Sequence, residues 1–278
     1  MEIVDIILYA VIFITGAMFG SFYTLAVYRI PRGEDIIKTN SYCPKCKHKL
    51  GILDLIPILS YIFLGAKCRY CKEKIRPRYF ILEILSGLTF IGIAYLMKLS
   101  VFTLNIRVGV KCIVMIFYFT FLVLIAGMDK ENKEIPKQVI GYGIVISIMY
   151  MVYLCIVEEV SIYKYAIYLS IYAVILIADT IKLRKFAKNS YFYNLILVVI
   201  TILIFTGERM IVNTLIYTII AITIVIILKK VFIKKDKNKE IEKTYNQDCR
   251  LGKGLPIVYI MCTMNFLGII QSLMYLKK

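Results

Sequence analysis

Residues 3–27 read IVDIILYAVIFITGAMFGSFYTLAV, an apolar run of 25 residues whose one charge is Asp5. A helix needs about 20 such residues to cross the hydrocarbon of a bilayer, so this run predicts a membrane span. Its start carries Glu2 and Asp5 instead of a basic region, and it lacks a small-residue cleavage pattern. It therefore reads as a retained helix and not as a secretory signal. Further apolar runs follow at approximately 80–97, 112–128, 138–156, 162–180, 191–206, 210–228 and 255–276. A hydrophobic fraction of 60%, against about 45–50% for soluble domains, excludes an ordinary soluble protein. The expected fold is an all-α polytopic membrane protein with about eight transmembrane helices and a small zinc-binding cytoplasmic loop subdomain.

The net charge of +17 is first a topology signal. The loops after the first, third, fifth and seventh runs hold 28 of the 35 Lys and Arg residues, and the opposite side holds 7. Because cytoplasmic loops are the ones enriched in Lys and Arg, the imbalance places both termini outside and these four loops in the cytoplasm of a plasma-membrane protein. Topology and attraction to anionic headgroups of the lipid bilayer account for the charge, and no nucleic-acid partner is expected. Residues 1–28 form the first span, 29–79 a cytoplasmic excursion, and 80–278 the remaining membrane domain. Residues 229–254, with their KKDKNKE run, read as a mobile polar loop.

The 29–79 excursion is too short to bury a good core unaided, but it carries Cys43-Pro-Lys-Cys46 and Cys68-Arg-Tyr-Cys71, separated by 21 residues. Two Cys-x-x-Cys turns supply the closed tetrahedral thiolate set of a structural zinc site, and zinc binding supplies the folding energy that the excursion lacks. Redox pairs and unliganded thiols are the competing readings, with disulfides disfavoured in the cytoplasm. His48 lies two residues from Cys46 and is chemically able to bind metal, yet reads as an exposed basic-loop histidine. Cys112, Cys155 and Cys262 fall in apolar runs and pack as small hydrophobes, and Cys249 lies in the polar loop.

Ionisable groups in membrane spans are costly and mark site hypotheses. Glu83, Asp129 and Asp179 stand at the cytoplasmic ends of the second, third and fifth runs. Asp129 is followed by a polar turn and Pro136; its plainer reading is a solvated helix-end residue. For Asp179 the plainer reading is an interfacial carboxylate paired with Lys182 or Arg184. Two carboxylates at one membrane depth can also share a proton and activate a water between them. Gly16 and Gly20 have the small-x-x-x-small spacing that lets helices approach closely, or are merely tolerated glycines.

These residues resemble the type IV prepilin peptidases, membrane aspartic proteases that are often also N-methyltransferases. The resemblance rests on Gly16-Ala-Met-Phe-Gly20-Ser21-Phe22-Tyr-Thr-Leu-Ala-Val-Tyr-Arg29-Ile-Pro31, similar to G-S-F-x-N-x-x-x-x-R-x-P with Thr24 at the Asn position. It continues through the cysteine pairs, Leu53-Asp54-Leu55-Ile56-Pro57-Ile58-Leu59-Ser60-Tyr61 between them, and Ile75-Arg-Pro-Arg78-Tyr79-Phe-Ile-Leu-Glu83. Asp129 with Pro136 is similar to the family's first catalytic aspartate and its following proline. The resemblance implies a membrane-embedded aspartic peptidase that removes basic leaders from pilin-like precursors at the cytoplasmic face. It also implies a role for Glu83 in orienting substrate or loop, and methyl transfer from S-adenosylmethionine, for which the chain has no Gly-rich nucleotide loop.

The second half departs from the family pattern. The G-x-G-D motif of the second catalytic aspartate is absent: Gly141-Tyr-Gly143 is followed by Ile144, and Asn189 and Ser190 stand at roughly the usual interval. Asp179 with Lys182-Leu183 is a distant counterpart of G-D-x-K-L, and Gly252-Lys-Gly254-Leu-Pro256 a weak one of the terminal Pro-Phe-Gly-Pro. Asp129 and Asp179 are the expected catalytic pair. The alternatives are a divergent non-catalytic homologue, or a zinc-stapled transporter or assembly component, which explains the spans but not the match over 16–90.

Overall fold

The structure is a computed structural model that describes residues 3–102, 105–132, 135–157, 162–181, 190–235 and 256–275. Its helices are α1 Ile3–Arg29, α2 Leu59–Phe63, α3 Pro77–Leu96, α4 Ile106–Asn132, α5 Lys137–Val157, α6 Ile162–Ile181, α7 Ser190–Lys235 and α8 Ile257–Tyr275. Among the described residues there are two isolated β-bridges and no strand. Backbone groups in hydrocarbon have no water to bond, so helices are the expected solution for such apolar segments.

Among the described residues, five helical stretches are long and apolar enough to cross a membrane: Ile3–Arg32, Pro77–Leu96, Ile106–Glu131, Lys137–Val157 and Asn194–Leu228. The chain is a multi-pass membrane protein. The expected runs 191–206 and 210–228 are both in α7, which breaks at Gly207, where φ 76° and ψ 173° leave the helical region. Glycine takes this positive φ without a Cβ penalty, so the two runs join with no intervening loop. The apolar parts of α6 and α8, Tyr165–Ile175 and Ile257–Ser272, are shorter. The polar loop expected at 229–254 begins later than its composition implies, because α7 continues to Lys235; residues 236–255, Cys249 among them, lie outside the described residues.

The chain divides into compact units 1–120 and 121–278. In the first, α1 and α3 run antiparallel in close contact. A Cβ at Gly16 would stand 2.8 Å from Gly87 Cα and from Ser86 O, and one at Gly20 would stand 2.8 Å from Glu83 Cα and Leu82 O. These glycines are therefore the contact itself, and the close-approach reading of the pair holds. Phe19, Tyr23, Phe90 and Phe119 pack around it, and Tyr23 Oη shares a 2.7 Å hydrogen bond with Thr120 Oγ1. At the far end Asp5 accepts from Ser100 Oγ at 3.0 Å and Val101 N at 3.1 Å, and Tyr9 Oη donates to Leu99 O, closing the hairpin. The outer face of α1, with Ile3, Ile7, Val11, Ile14 and Met18, is exposed as a lipid-facing surface would be.

In the second unit polar groups tie the helices together, as is common inside membrane bundles. Asn194 Nδ2 donates to Ile135 O at 2.9 Å and anchors the start of α7 to the α4–α5 turn. Buried Asn265 Nδ2 donates to Thr214 Oγ1 at 3.2 Å, joining α8 to the second arm of α7. Tyr150 stacks on Phe205 at 4.6 Å between α5 and α7.

A methyl group at Gly20 would meet backbone of Glu83 and Leu82 at 2.8 Å and Ser86 Oγ at 3.0 Å. Gly20→Ala is expected to cost about 1–3 kcal/mol and to lower the thermal midpoint of the solubilised protein by roughly 4–10 °C. Gly92→Ala, where a Cβ meets nothing within 4 Å, should leave the midpoint unchanged.

Candidate metal centre and buried carboxylates

The loop joining α1 to α3 folds as two matched cysteine knuckles. In the first, Cys43 N donates to His48 O, Lys47 N to Cys43 O and Leu50 N to Ser41 O; in the second, Cys68 N donates to Glu73 O, Lys72 N to Cys68 O and Ile75 N to Ala66 O. The bridges Tyr42 with Lys49 and Lys67 with Lys74 repeat the same offset. Lys47 and Lys72, the residues after each second cysteine, both sit at positive φ, 59° and 57°. That turn points the two sulfurs of a Cys-x-x-Cys to one side. The sequence signal for this duplication is C-x-x-C-K-x-K at 43–49 and again at 68–74, a repeat too short to register as a solenoid.

The Sγ atoms of Cys43, Cys46, Cys68 and Cys71 lie within 4.8 Å of one another, with Cys43 and Cys68 buried and the other two exposed. Cys43 Sγ and Cys71 Sγ are 3.8 Å apart. Zn–S bonds of about 2.3 Å in a tetrahedron require S···S separations of about 3.8 Å, so the four thiols fit a zinc ion. Burial pushes the Cys43 thiol up, but the N–H groups of Cys46 and Lys45 and the neighbouring thiols outweigh it and bring it down to about 7. At Cys71 the Glu73 amide favours the thiolate, yet burial and bonding to the other three thiols prevail and raise it to about 11. One negative charge thus forms readily and opposes the next, a conflict that a bound dication removes. A four-thiolate set leaves no open position, so such an ion is structural.

His48 is not among these ligands; it is exposed and its ring lies 3.6 Å from that of Tyr70. Between the knuckles Asp54 accepts from Arg69 Nε at 2.6 Å and from Gly51 N at 3.1 Å. Burial pushes the Asp54 carboxyl up, but these two donors outweigh it and hold it below the ordinary value. Arg29, buried at the end of α1, donates to the carbonyls of Asp35, Thr39 and Asn40 and so gathers the entry strand of the loop. Glu83 is buried in the second turn of α3 and accepts from Ile58 N at 2.7 Å. Glu83 therefore orients the loop, which is one of the two roles its position implied.

In the second unit Asp129 is fully buried, and its Oδ2 accepts from Tyr259 N at 3.0 Å. Tyr259 lies in the first turn of α8, where N–H groups have no intrahelical acceptor. Asp129 thus caps a helix that begins 128 residues after it, and its reading as a solvated helix-end residue is corrected: the α8 backbone covers it. Lys130 Nζ stands 4.7 Å over the Tyr259 ring. The backbone of Asp179 lies in the last turn of α6, while its side chain, Lys182 and Arg184 lie outside the described residues. No local pattern announced Tyr259 or Asn194; both act through contacts distant in sequence.

Purified protein is expected to carry about one zinc per chain by elemental analysis, and Cys43→Ser with Cys68→Ser, the two buried thiols, should abolish it. Zinc-free protein with all four thiols open to alkylation is the contrary result.

Comparison with known proteins places this geometry. The family model for the bacterial peptidase A24 N-terminal domain matches residues 14–97, which span the glycine contact, the four cysteines and Glu83. A prepilin leader peptidase/N-methyltransferase of Klebsiella pneumoniae is 28% identical over 131 residues, covering 45% of this chain and 54% of the relative. Proteins of the same name from Vibrio cholerae and Bacillus subtilis are 40% identical over 92 residues and 33% identical over 133 residues. These alignments cover 30% and 47% of this chain, and 35% and 49% of those relatives. The chain thus spans about half or less of the curated relatives it matches. No solved structure matches. Over residues 14–97 the chain is thus similar to the bacterial peptidase A24 N-terminal domain, and its curated relatives are named prepilin leader peptidases.

Proposed function

We propose that the protein is a membrane-embedded aspartic peptidase that cleaves the leader from pilin-like precursors at the cytoplasmic membrane face, with Asp129 and Asp179 as the catalytic pair. The observation that carries this reading is a fully buried carboxylate, Asp129, at the end of a membrane helix in a chain whose N-terminal third is a peptidase A24 N-terminal domain. The orientation follows from charge: the cysteine loop is among the Lys- and Arg-rich loops and is taken as cytoplasmic, with both termini outside. A precursor with a short basic leader and an apolar helix then presents its scissile bond at the level of the helix ends.

In this reaction one aspartate takes a proton from the attacking water while the other protonates the carbonyl or the leaving nitrogen. Helix count supports an Asp179 at a similar level. Tyr168 Oη donates to Glu208 Oε1 at 2.6 Å, which joins α6 to the α7 break. From there Asp179 is about 16 Å onward along α6, and Asn194, tethered to the α4–α5 turn, is about 21 Å back along α7 at 1.5 Å per residue. The names of the relatives extend the proposal to N-methylation of the new terminus with S-adenosylmethionine as donor. The cysteine cluster has no step in this chemistry; a zinc ion there would hold the loop.

The contact of Asp129 with Tyr259 N favours a second reading, a divergent homologue in which the carboxylate only caps α8. Asparagine caps helices about as well as aspartate, so Asp129→Asn separates the two. In membranes supplied with a pilin-like precursor, Asp129→Asn and Asp179→Asn are each expected to slow cleavage by about 10²–10⁴-fold with the thermal midpoint unchanged. Full cleavage by Asp129→Asn, or a wild type that cleaves nothing, would overturn the peptidase assignment.

A further inference from the structure

Between the two cysteine knuckles runs a segment of unusual composition. Residues 52–66 read ILDLIPILSYIFLGA, whose one charged side chain, Asp54, is paired with Arg69 at 2.6 Å. Yet Leu55, Leu59, Ile62 and Phe63 are 41%, 49%, 57% and 82% exposed. A run of this kind in water would be a large apolar liability.

Its level explains it. Ile58 N donates to Glu83 Oε2 at 2.7 Å, and the Glu83 carboxylate is also bonded to the Ser21 side chain. Glu83 lies about 9 Å along α3 from Pro77, and Ser21 about 12 Å along α1 from Arg29, at 1.5 Å per residue. The Tyr61 ring stacks on Phe80 in the first turn of α3, centroids 4.9 Å apart. The segment therefore leaves the first knuckle, descends beside the ends of two membrane helices by one to two turns, and returns to the second knuckle. Both knuckles carry exposed lysines, Lys45, Lys47 and Lys49 on one and Lys67, Lys72 and Lys74 on the other, at the height where anionic headgroups would lie.

We propose that residues 55–63 are a membrane-interface element: the short helix α2 and its flanks seat Leu59, Ile62 and Phe63 among the acyl-chain ends of the bilayer, and so pin the cysteine lobe to the membrane surface. The occupant of this face is phospholipid. The inference rests on the chain being a membrane protein and is independent of its peptidase activity.

The chain contains no tryptophan, so a single introduced one reports its own surroundings. Full-length Phe63→Trp and Ile62→Trp, reconstituted in phosphatidylcholine–phosphatidylglycerol nanodiscs, are compared with Lys45→Trp on the exposed tip of the first knuckle. Each variant is used only if it retains the zinc content and elution of the parent. Lipids brominated high on the acyl chain should quench Phe63→Trp and Ile62→Trp roughly twofold or more, the depth expected of an interfacial element, and leave Lys45→Trp unquenched. Absence of quenching at both positions overturns the proposal. So does quenching that vanishes when a pilin-like precursor is added and occupies the face, since the surface would then belong to a protein helix.

Discussion

The rest of the first unit depends on one contact, the approach of α1 to α3 through Gly16 and Gly20 on one helix and Ser86, Gly87 and the Glu83 backbone on the other. With separations of 2.8 Å from a would-be Cβ to backbone atoms, the two helices are as near as side-chain-free surfaces permit. In hydrocarbon no hydrophobic force draws helices together, and such close packing is what remains to do it. Because the pair is antiparallel, the C-terminus of α1 and the N-terminus of α3 emerge side by side. A loop of fewer than fifty residues can then close on itself and bring cysteines from its two arms to one point.

The cysteine lobe is held by two kinds of interaction that act at different levels. Above, four thiols converge in a geometry suited to a tetrahedral ion, and Arg29 collects three carbonyls of the entry strand. Below, Glu83 reaches out of α3 to a single backbone N–H at Ile58. A buried carboxylate without donors is expensive, so the Glu83 contact ties the loop to the helix pair as firmly as the carboxylate needs the loop. The apolar segment between the knuckles is set at a defined level by that bond, which gives its exposed side chains a physical reason.

Asp129 joins two helices distant in sequence through one buried carboxylate. The first turn of α8 leaves N–H groups without helical acceptors, and Asp129 satisfies the one on Tyr259. Nearby, Asn194 satisfies the carbonyl of Ile135. These two polar side chains gather the end of α4, the α4–α5 turn and the starts of α7 and α8 at one end of the second unit. A peptidase of the proposed kind needs a fixed carboxylate at a helix end that still reaches the attacking water, and a helix cap of this sort supplies the fixation.

By itself the sequence determined the membrane class, the places of the apolar helices though not how many of them are long enough to span, the identity of the four cysteines and the family resemblance over 16–90. These are legible because hydrophobic length, glycine spacing and Cys-x-x-Cys are local properties, readable within a turn or two of chain. The gap between the runs at 191–206 and 210–228 was legible, but composition could not show that Gly207 at positive φ joins them within one helix without a loop. Tertiary structure alone decided that Gly16 and Gly20 are a contact surface, that Glu83 binds the loop backbone, and that His48 stands aside on Tyr70. It alone decided that Asp129 meets α8. Each of these pairs residues far apart in the chain through a backbone atom or a shared surface, and backbone donors such as Ile58 N and Tyr259 N carry no residue-specific signal that a sequence can display.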